Sequence, residues 1–445
     1  MQSLPDKFVQ RLNDNFPKAE VLIPALDTQS PVSIRLNPNK KRDLNQLEFE
    51  EKVTWCGQGH YLKSRPKFTL DPLFHAGCYY PQEAGSMYIE SVFKSLSLND
   101  APVVLDLCAA PGGKSTLLAT LLNNHGTLIS NEVIRSRAFI LAENVTKWGY
   151  SNCLVTNNDP KDFSALKGSF DVILIDAPCS GEGMFRKDLK SRDEWSEDNA
   201  NMCSARQKRI VMDVWNSLKE NGYIIYSTCT FNPEENENNV AWLMEELDCE
   251  VVQLPMFENM QSDSKGYGVY FIPGLTKTEG FYCCLLQKKE SIKLNSRIKL
   301  DILTKLKSKD KISSFINKKN TLSFWQEGEF TYGAMPSALD FYRQNQKRLK
   351  WMKTGVKLGE NQRKGFIPDI ELALNPSLIN QENAIELTEE QALKYLHGDT
   401  FELDSTIGIQ LVTFKEQPLG FIKHLGNRFN NLYPKEWRIR MDLKF

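Results

Sequence analysis

The chain of 445 residues lacks most features that assign a protein at a glance. No apolar run approaches the roughly 20 residues of a membrane helix. The opening stretch, MQSLPDKFVQRLNDNF, has no apolar core and no small-residue cleavage site, so no secretory signal is read there. None of the ten cysteines stands in C-x-x-C spacing with another, which argues against a zinc ribbon. Without an export signal the expectation is a cytoplasmic monomer with reduced thiols, no bound metal and no membrane partner. Internal repeats and low-complexity tails are missing too. Lys+Arg number 55 against 56 Asp+Glu, a formal net charge of -1, so the basic excess of many nucleic-acid binders is absent. What is present is ordinary: 41% hydrophobic and 25% charged residues, which exclude wholesale disorder. The length suggests two to four domains.

Residues 1–95 read as a mixed α+β segment. A helix is expected around Asp6–Leu12, a strand at Val32–Pro38 and a turn-rich basic stretch at Trp55–Phe68. From about residue 96 to 290 the pattern becomes regular. Short apolar runs fall at 103–107, 127–131, 153–157, 171–176, 223–228, 250–254 and 281–287. Helical patterns separate them at Ser115–Asn123, Arg135–Trp148, Ala205–Leu218 and Pro233–Leu247. Asn232 can cap the last helix, with Pro233 in its first turn and Glu234, Glu235 and Glu237 at its positive end. Continuous apolar strands alternating with helices predict an α/β domain with a parallel sheet covered on both faces. The stretch 288–366 then carries 19 Lys+Arg against 7 Asp+Glu, a local excess of 12 hidden by the neutral total. A basic module at 291–366 and a small β-rich domain at 367–445 complete the expected organisation.

The first apolar strand runs into LDLCAAPGGKST, Leu105–Thr116. Ligands of open α/β sheets bind beyond the carboxyl ends of strands, and Gly112 and Gly113 supply a turn that lets one approach the backbone. A Walker loop would need glycine where Cys108 stands, and a dinucleotide fingerprint would need G-x-G-x-x-G, which is absent. The reading that remains is a nucleoside ligand without a pyrophosphate, such as S-adenosylmethionine. Glu132 ends the second strand, 20 residues beyond Gly112, where a carboxylate can accept from ribose hydroxyls. Asp159 follows the third strand, within reach of an adenine amino group. A helix cap or solvated carboxylate is the plainer reading of either acid alone.

The fourth and fifth strands run into DAPCSGEGMFRKD (176–188) and STCTFNPEENE (227–237). Cys179 and Cys229 therefore sit just past strand ends, among Pro, Gly, Ser and Thr. A buried apolar role, assigned to Cys283 and Cys284, fits them less well.

PGGK, DAPCSG and STCTFNPEENE together resemble the RNA (cytosine-5)-methyltransferases of the Nop/Sun family, closely over residues 30–290. RLN (35–37) and YYPQEAGSM (79–87) resemble segments that precede the cofactor loop in that family. EGMFRKD, followed by Trp195, resembles the bacterial RsmF-type enzymes that modify small-subunit ribosomal RNA. One departure is at Tyr270 and at Pro273-Gly274, where the family more often has Arg and Pro-His. The resemblance implies a seven-stranded Rossmann-like class I methyltransferase sheet, an N-terminal RNA-binding-like domain and a C-terminal PUA-like RNA-binding domain. The implied cofactor is S-adenosylmethionine. Its contacts are expected from Cys108, Ala109, Ala110, Pro111, Gly112, Gly113, Lys114, Glu132, Arg137, Asp159, Asp176 and Pro178.

The chemistry needs these residue types. Cytosine C5 is a poor nucleophile until a thiolate adds at C6 and makes C5 enamine-like. A carboxyl group bonded to the ring's N3 and exocyclic amine withdraws electrons, and Asp176 is placed for it. The C5 proton must then leave and the thiol be eliminated, which needs a second acid/base group. By the resemblance, Cys229 of the TC motif is the nucleophile and Cys179 of the PC motif assists release. Lys187 is expected to meet RNA. The target base must be unpaired or flipped out. The Lys-rich 288–366 segment, with Phe324, Trp325, Phe341, Tyr342 and Trp351 interleaved, is read as an RNA-stacking surface, or as a solvated linker with core aromatics. The expected substrate is 16S ribosomal RNA, free or within the small subunit. Transfer RNA, a DNA cytosine methyltransferase and a non-catalytic RNA-binding assembly factor are the alternatives.

Overall fold

The computed structural model describes residues 3–40, 44–291, 304–305, 312–317, 319–363 and 365–443. Its centre is one ten-stranded sheet. In chain order its strands are β1 (Val103–Asp106), β2 (Thr127–Asn131), β3 (Cys153–Thr156), β4 (Phe170–Asp176), β5 (Leu218–Thr228), β6 (Cys249–Val251), β7 (Gln261–Ser262), β8 (Gly268–Phe271), β9 (Phe281–Lys288) and β10 (Trp351–Lys353). The lateral order is β7-β8-β9-β5-β4-β1-β2-β3-β10, with β6 also on β9. Strands β3, β2, β1, β4 and β5 are parallel to one another, so their carboxyl ends share one edge. The wholly parallel expectation is corrected at β9, which runs antiparallel to β5 and β8. All seven expected strands enter the sheet, and β7, β8 and β10 are additional. β8 was hidden because its four residues follow the turn-like SDSKGYG.

Phe170, Val172, Ile173, Leu174 and Ile175 of β4 are all fully buried, as a strand covered on both faces requires. The covering helices include α1 (Gly113–Leu122), α2 (Arg135–Trp148), α3 (Glu197–Val214) and α4 (Glu237–Glu246). Two starts differ from expectation. α3 begins eight residues before Ala205, because Ser196 caps it by accepting from the Asn199 N–H at 3.1 Å. α4 begins at Glu237 rather than Pro233. Asn232 instead caps a preceding turn, accepting from the Glu234 N–H at 3.1 Å.

The chain leaves β1 to one side for β2 and returns to the other side for β4. This topological switch puts a crevice beyond the ends of β1 and β4, at Asp106 and Asp176. Before the sheet lie helices Asp6–Asn15 and Ala19–Ala25 and a small antiparallel sheet of Val32–Leu36, Phe49–Lys52, Gly59–Leu62 and Tyr79–Pro81. Phe8 and Leu12 of the first helix, and Phe16 just after it, pack into the same core as β4 and β5. Beyond β9 stand two further small sheets, within 304–368 and 385–431.

The RNA-stacking reading is overturned for Trp325, Phe341 and Tyr342, while Phe324 and Trp351 are half-buried. Trp325 is 1% exposed, Tyr342 3% and Phe341 7%, and the first two join the Phe170 side of the central core with Phe341. Trp325 stacks on Tyr332 with ring centroids 5.5 Å apart. Trp351 lies on β10, which pairs with β3. Two lysines of the stretch are buried as well: Lys288 donates to Trp215 O at 3.0 Å, and Lys353 pairs with Glu371. Residues 292–303, 306–311, 318 and 364 of this basic stretch lie outside the described residues. Among the described residues no helix is long and apolar enough to cross a membrane.

Candidate active site

The glycine turn is built as the spacing suggested. Gly112 has φ +116°, a left-handed backbone that other residues adopt at a cost, and α1 begins directly after it. Backbone carbonyls of the turn are held from α2: the Arg137 guanidinium donates to Ala110 O at 2.8 Å and Asn144 to Pro111 O at 2.7 Å. From the N-terminal segment, buried Arg35 donates to Thr116 Oγ1 at 2.5 Å and Gly113 O at 3.2 Å, and lies over the Trp148 ring at 4.4 Å.

Asp106 was missed by the sequence reading. It is fully buried at the end of β1. One carboxyl oxygen accepts from Ser115 Oγ at 2.6 Å; the other has no partner. Burial, aided by the Asp176 charge and opposed by the Ser115 hydrogen bond, pushes this carboxyl up to about 7. A charged residue inside the apolar run VVLDL was the available signal.

Asp106 opens onto a cleft of about 270 Å³. Of the expected residues, Cys108, Ala109, Ala110, Pro111, Gly113, Lys114, Asp176 and Cys229 line it with Asp106. Its opposite wall was not foreseen: Tyr80, Gln82, Glu83 and Ser86, together with Met184, Glu279 and Phe281. YYPQEAGSM thus folds over the crevice. Glu83 shapes this wall by accepting from the backbone N–H groups of Gly85, Ser86 and Glu279 at 2.7, 2.8 and 2.9 Å.

Gly112, Glu132, Arg137, Asp159, Pro178 and Cys179 are not among the residues lining this cleft. Glu132 is buried at the end of β2, accepting from the Ile134 N–H at 2.9 Å and standing 3.4 Å from the Arg137 guanidinium. Asp159 caps the turn Pro160–Ala165 through the Lys161 N–H at 3.2 Å. Lys187 is exposed. Tyr270, at the departure from the family pattern, is buried and donates to Glu237 at 2.7 Å.

The two cysteines meet. Cys179 Sγ and Cys229 Sγ are 3.2 Å apart, and the Cys229 N–H points at Cys179 Sγ from 3.4 Å. The hydrogen bond to Cys229, and then burial, push the Cys179 thiol well above its ordinary range, so Cys179 keeps its proton. Beside them Lys114 Nζ stands 2.8 Å from Asp176 Oδ2, while Ser227 Oγ donates to Asp176 Oδ1 at 2.9 Å. Burial opposes the Lys114 ammonium, but the Asp176 charge and hydrogen bond outweigh it and hold the group above its ordinary value. The two cysteine loops touch closely. A Cβ on Gly183 would stand 2.9 Å from Cys229 O, whose carbonyl accepts the Gly183 N–H at 2.8 Å. Glu182 locks the arrangement, accepting from the Phe231 N–H at 3.1 Å, Trp195 Nε1 at 2.9 Å and Arg11 of the first helix at 2.6 Å.

A glycine turn at the switch point, with an unpartnered buried carboxyl oxygen suited to a cationic ligand group, fits an S-adenosylmethionine-dependent methyltransferase. The family model of 16S rRNA methyltransferase RsmB/F matches residues 93–287. The models of the N-terminal domain of 16S rRNA methyltransferase RsmF and of the methyltransferase RsmF PUA domain match residues 4–84 and 382–439. A ribosomal RNA small subunit methyltransferase F from Shigella dysenteriae serotype 1 is 30% identical over 97% of this chain and 96% of its own length. Its counterpart from Escherichia coli O157:H7 is 29% identical over the same shares. Among solved structures, a methyltransferase homologue from Pyrococcus horikoshii is 26% identical, with a TM-score of 0.53 over 64% of this chain and all of that one. The chain belongs to the ribosomal RNA small subunit methyltransferase F family.

Proposed function

We propose that the protein methylates C5 of cytosine in 16S ribosomal RNA through a covalent adduct between Cys229 and C6 of the base. The observation that carries this reading is the pair of sulfurs 3.2 Å apart beside the Lys114–Asp176 ion pair, on the edge of a cleft that also holds Asp106. S-adenosylmethionine, when bound, supplies the methyl group as a sulfonium electrophile. Gly112 and Gly113 would let it approach the turn, Glu132 would accept from its ribose, and the free oxygen of Asp106 would receive its ammonium group. The Asp176 carboxyl group polarises the pyrimidine ring, giving a proton to N3 and accepting from the exocyclic amine, while Lys114 holds it in place. Cys229 adds to C6. After methyl transfer the C5 proton passes to water, its bonding pair restores the C5–C6 double bond and expels the Cys229 sulfur, and Cys179, which has kept its proton, gives that proton to the leaving sulfur and regains one from water.

The substrate assignment is tested with tritiated S-adenosylmethionine and bisulfite sequencing. Label is expected in 16S ribosomal RNA at cytosine, with none in transfer RNA or DNA of matched amount. Preferential labelling of transfer RNA or DNA would overturn it. Naked RNA and isolated small subunits, assayed side by side, show which form is the substrate.

Asp106 gives a pH-dependent prediction. Its neutral form is favoured by burial, whereas a cationic ligand binds the ionised form. S-adenosylmethionine affinity should therefore be flat above about pH 7 and weaken by up to about tenfold per pH unit below it. Asp106→Asn should bind about 10- to 100-fold more weakly at pH 8 and lose the pH dependence. Calorimetric titration reads both, and a wild-type slope retained in the Asn variant would remove Asp106 from this role.

A further inference from the structure

Glu235 has no part in the scheme above. As a neighbour of the α4 start it was expected only to favour the helix dipole, but its side chain turns away into the cysteine loops. It is fully buried, with one oxygen accepting from the Ser180 N–H at 3.0 Å and from Gln207 Nε2 at 2.8 Å. The same Gln207 nitrogen donates to Pro178 O at 3.1 Å. The residues on both sides of Cys179 are therefore tied, directly or through Gln207, to a carboxyl group carried by the loop that begins at Cys229. Gln207 is itself oriented, because its oxygen accepts from Asn239 Nδ2 at 2.7 Å. A parallel tie joins Ser180 Oγ and Thr230 Oγ1 at 2.9 Å.

We infer that Glu235 is a positioning residue: through Ser180 and Gln207 it holds Cys179 against Cys229 and thereby sets the rate of product release rather than of methyl transfer. The second half rests on the release role proposed for Cys179. The part Glu235 plays is that of an acceptor. Only one of its oxygens is engaged, the other having no partner. Burial, against hydrogen bonding from Ser180, pushes the carboxyl up to about 7, so a neutral amide is a fitting replacement.

Two readouts test this on the full-length protein. The first is the rate at which diamide oxidises Cys179 and Cys229 to a disulfide, the diazene taking up both hydrogens to become a hydrazine. The second is release, followed as RNA–protein adduct on denaturing gels beside single-turnover methyl transfer. Glu235→Ala is expected to slow disulfide formation at least about tenfold and to cut turnover about 10- to 100-fold, as misplacement of a reacting group does. Adduct should accumulate while the single-turnover rate stays within about threefold of wild type. Glu235→Gln should recover both readouts. Should the Ala variant fold poorly, Gln207→Ala loosens the same tie and should shift them in the same direction. Wild-type cross-linking in Glu235→Ala, or equal loss of methyl transfer and release, would overturn the proposal. Slowed cross-linking with no adduct would overturn its second half and place the fault in the role given to Cys179.

Discussion

Replacement of Cys229 by Ala should abolish methyl transfer, with a loss of at least about 10⁴-fold, because the other thiol of the site, Cys179, keeps its proton and does not line the cleft. Cys229→Ser is the sharper variant. It keeps the shape and replaces the thiol by a hydroxyl, but an alcohol is far less acidic and less nucleophilic than a thiol, so it should be as inactive as Ala. Cys179→Ala should behave differently. Its sulfur stands 3.2 Å from Cys229 and retains its proton, so its loss leaves addition and methylation possible but removes the group that completes elimination. A methylated RNA joined to the protein should build up, visible as a slow-moving species on a denaturing gel. Turnover by Cys229→Ser at even a tenth of the wild-type rate would refute the nucleophile assignment.

The second large effect is at Asp176. Asp176→Asn should lower the single-turnover rate by about 10³-fold, the loss typical of a charge-stabilising group aimed at the reacting centre. Two causes act together. The ring loses an acidic carboxyl group able to give a proton to N3, which an amide cannot do, and Lys114 loses the partner that keeps its ammonium charged against burial. RNA affinity should change only a few-fold, because phosphate contacts made elsewhere supply most of it. A rate change below about threefold, measured by rapid quench with saturating RNA, would remove Asp176 from the chemistry.

Strand ends were legible because a covered parallel sheet demands unbroken apolar runs, and the residues that stop those runs are the ones the fold brings together. That logic placed Gly112, Asp176, Cys179 and Cys229 on one edge. It passed over Asp106, which interrupts a run one residue early and has no partner on its own strand. It also passed over Tyr80, Gln82 and Glu83, since a wall contributed by a separate small sheet leaves no local spacing to read. Glu235 was misread for a related reason. Three acidic residues before a helix look alike in sequence, yet Glu234 bonds Asn238, Glu237 bonds Tyr270 and Glu235 turns inward. The lysine-and-aromatic stretch misled in the opposite direction. Its composition suits base stacking, but Trp325, Phe341 and Tyr342 are consumed by packing against the central core.

The most direct test uses RNA in which the target cytosine carries fluorine at C5. Methylation of such a base leaves no proton to remove, so the protein stays bound through the attacking sulfur. After nuclease and protease digestion, mass spectrometry should find the methylated fluoronucleotide on the peptide containing Cys229. Attachment at Cys179, or no attachment from a protein that methylates unmodified RNA normally, would contradict the account.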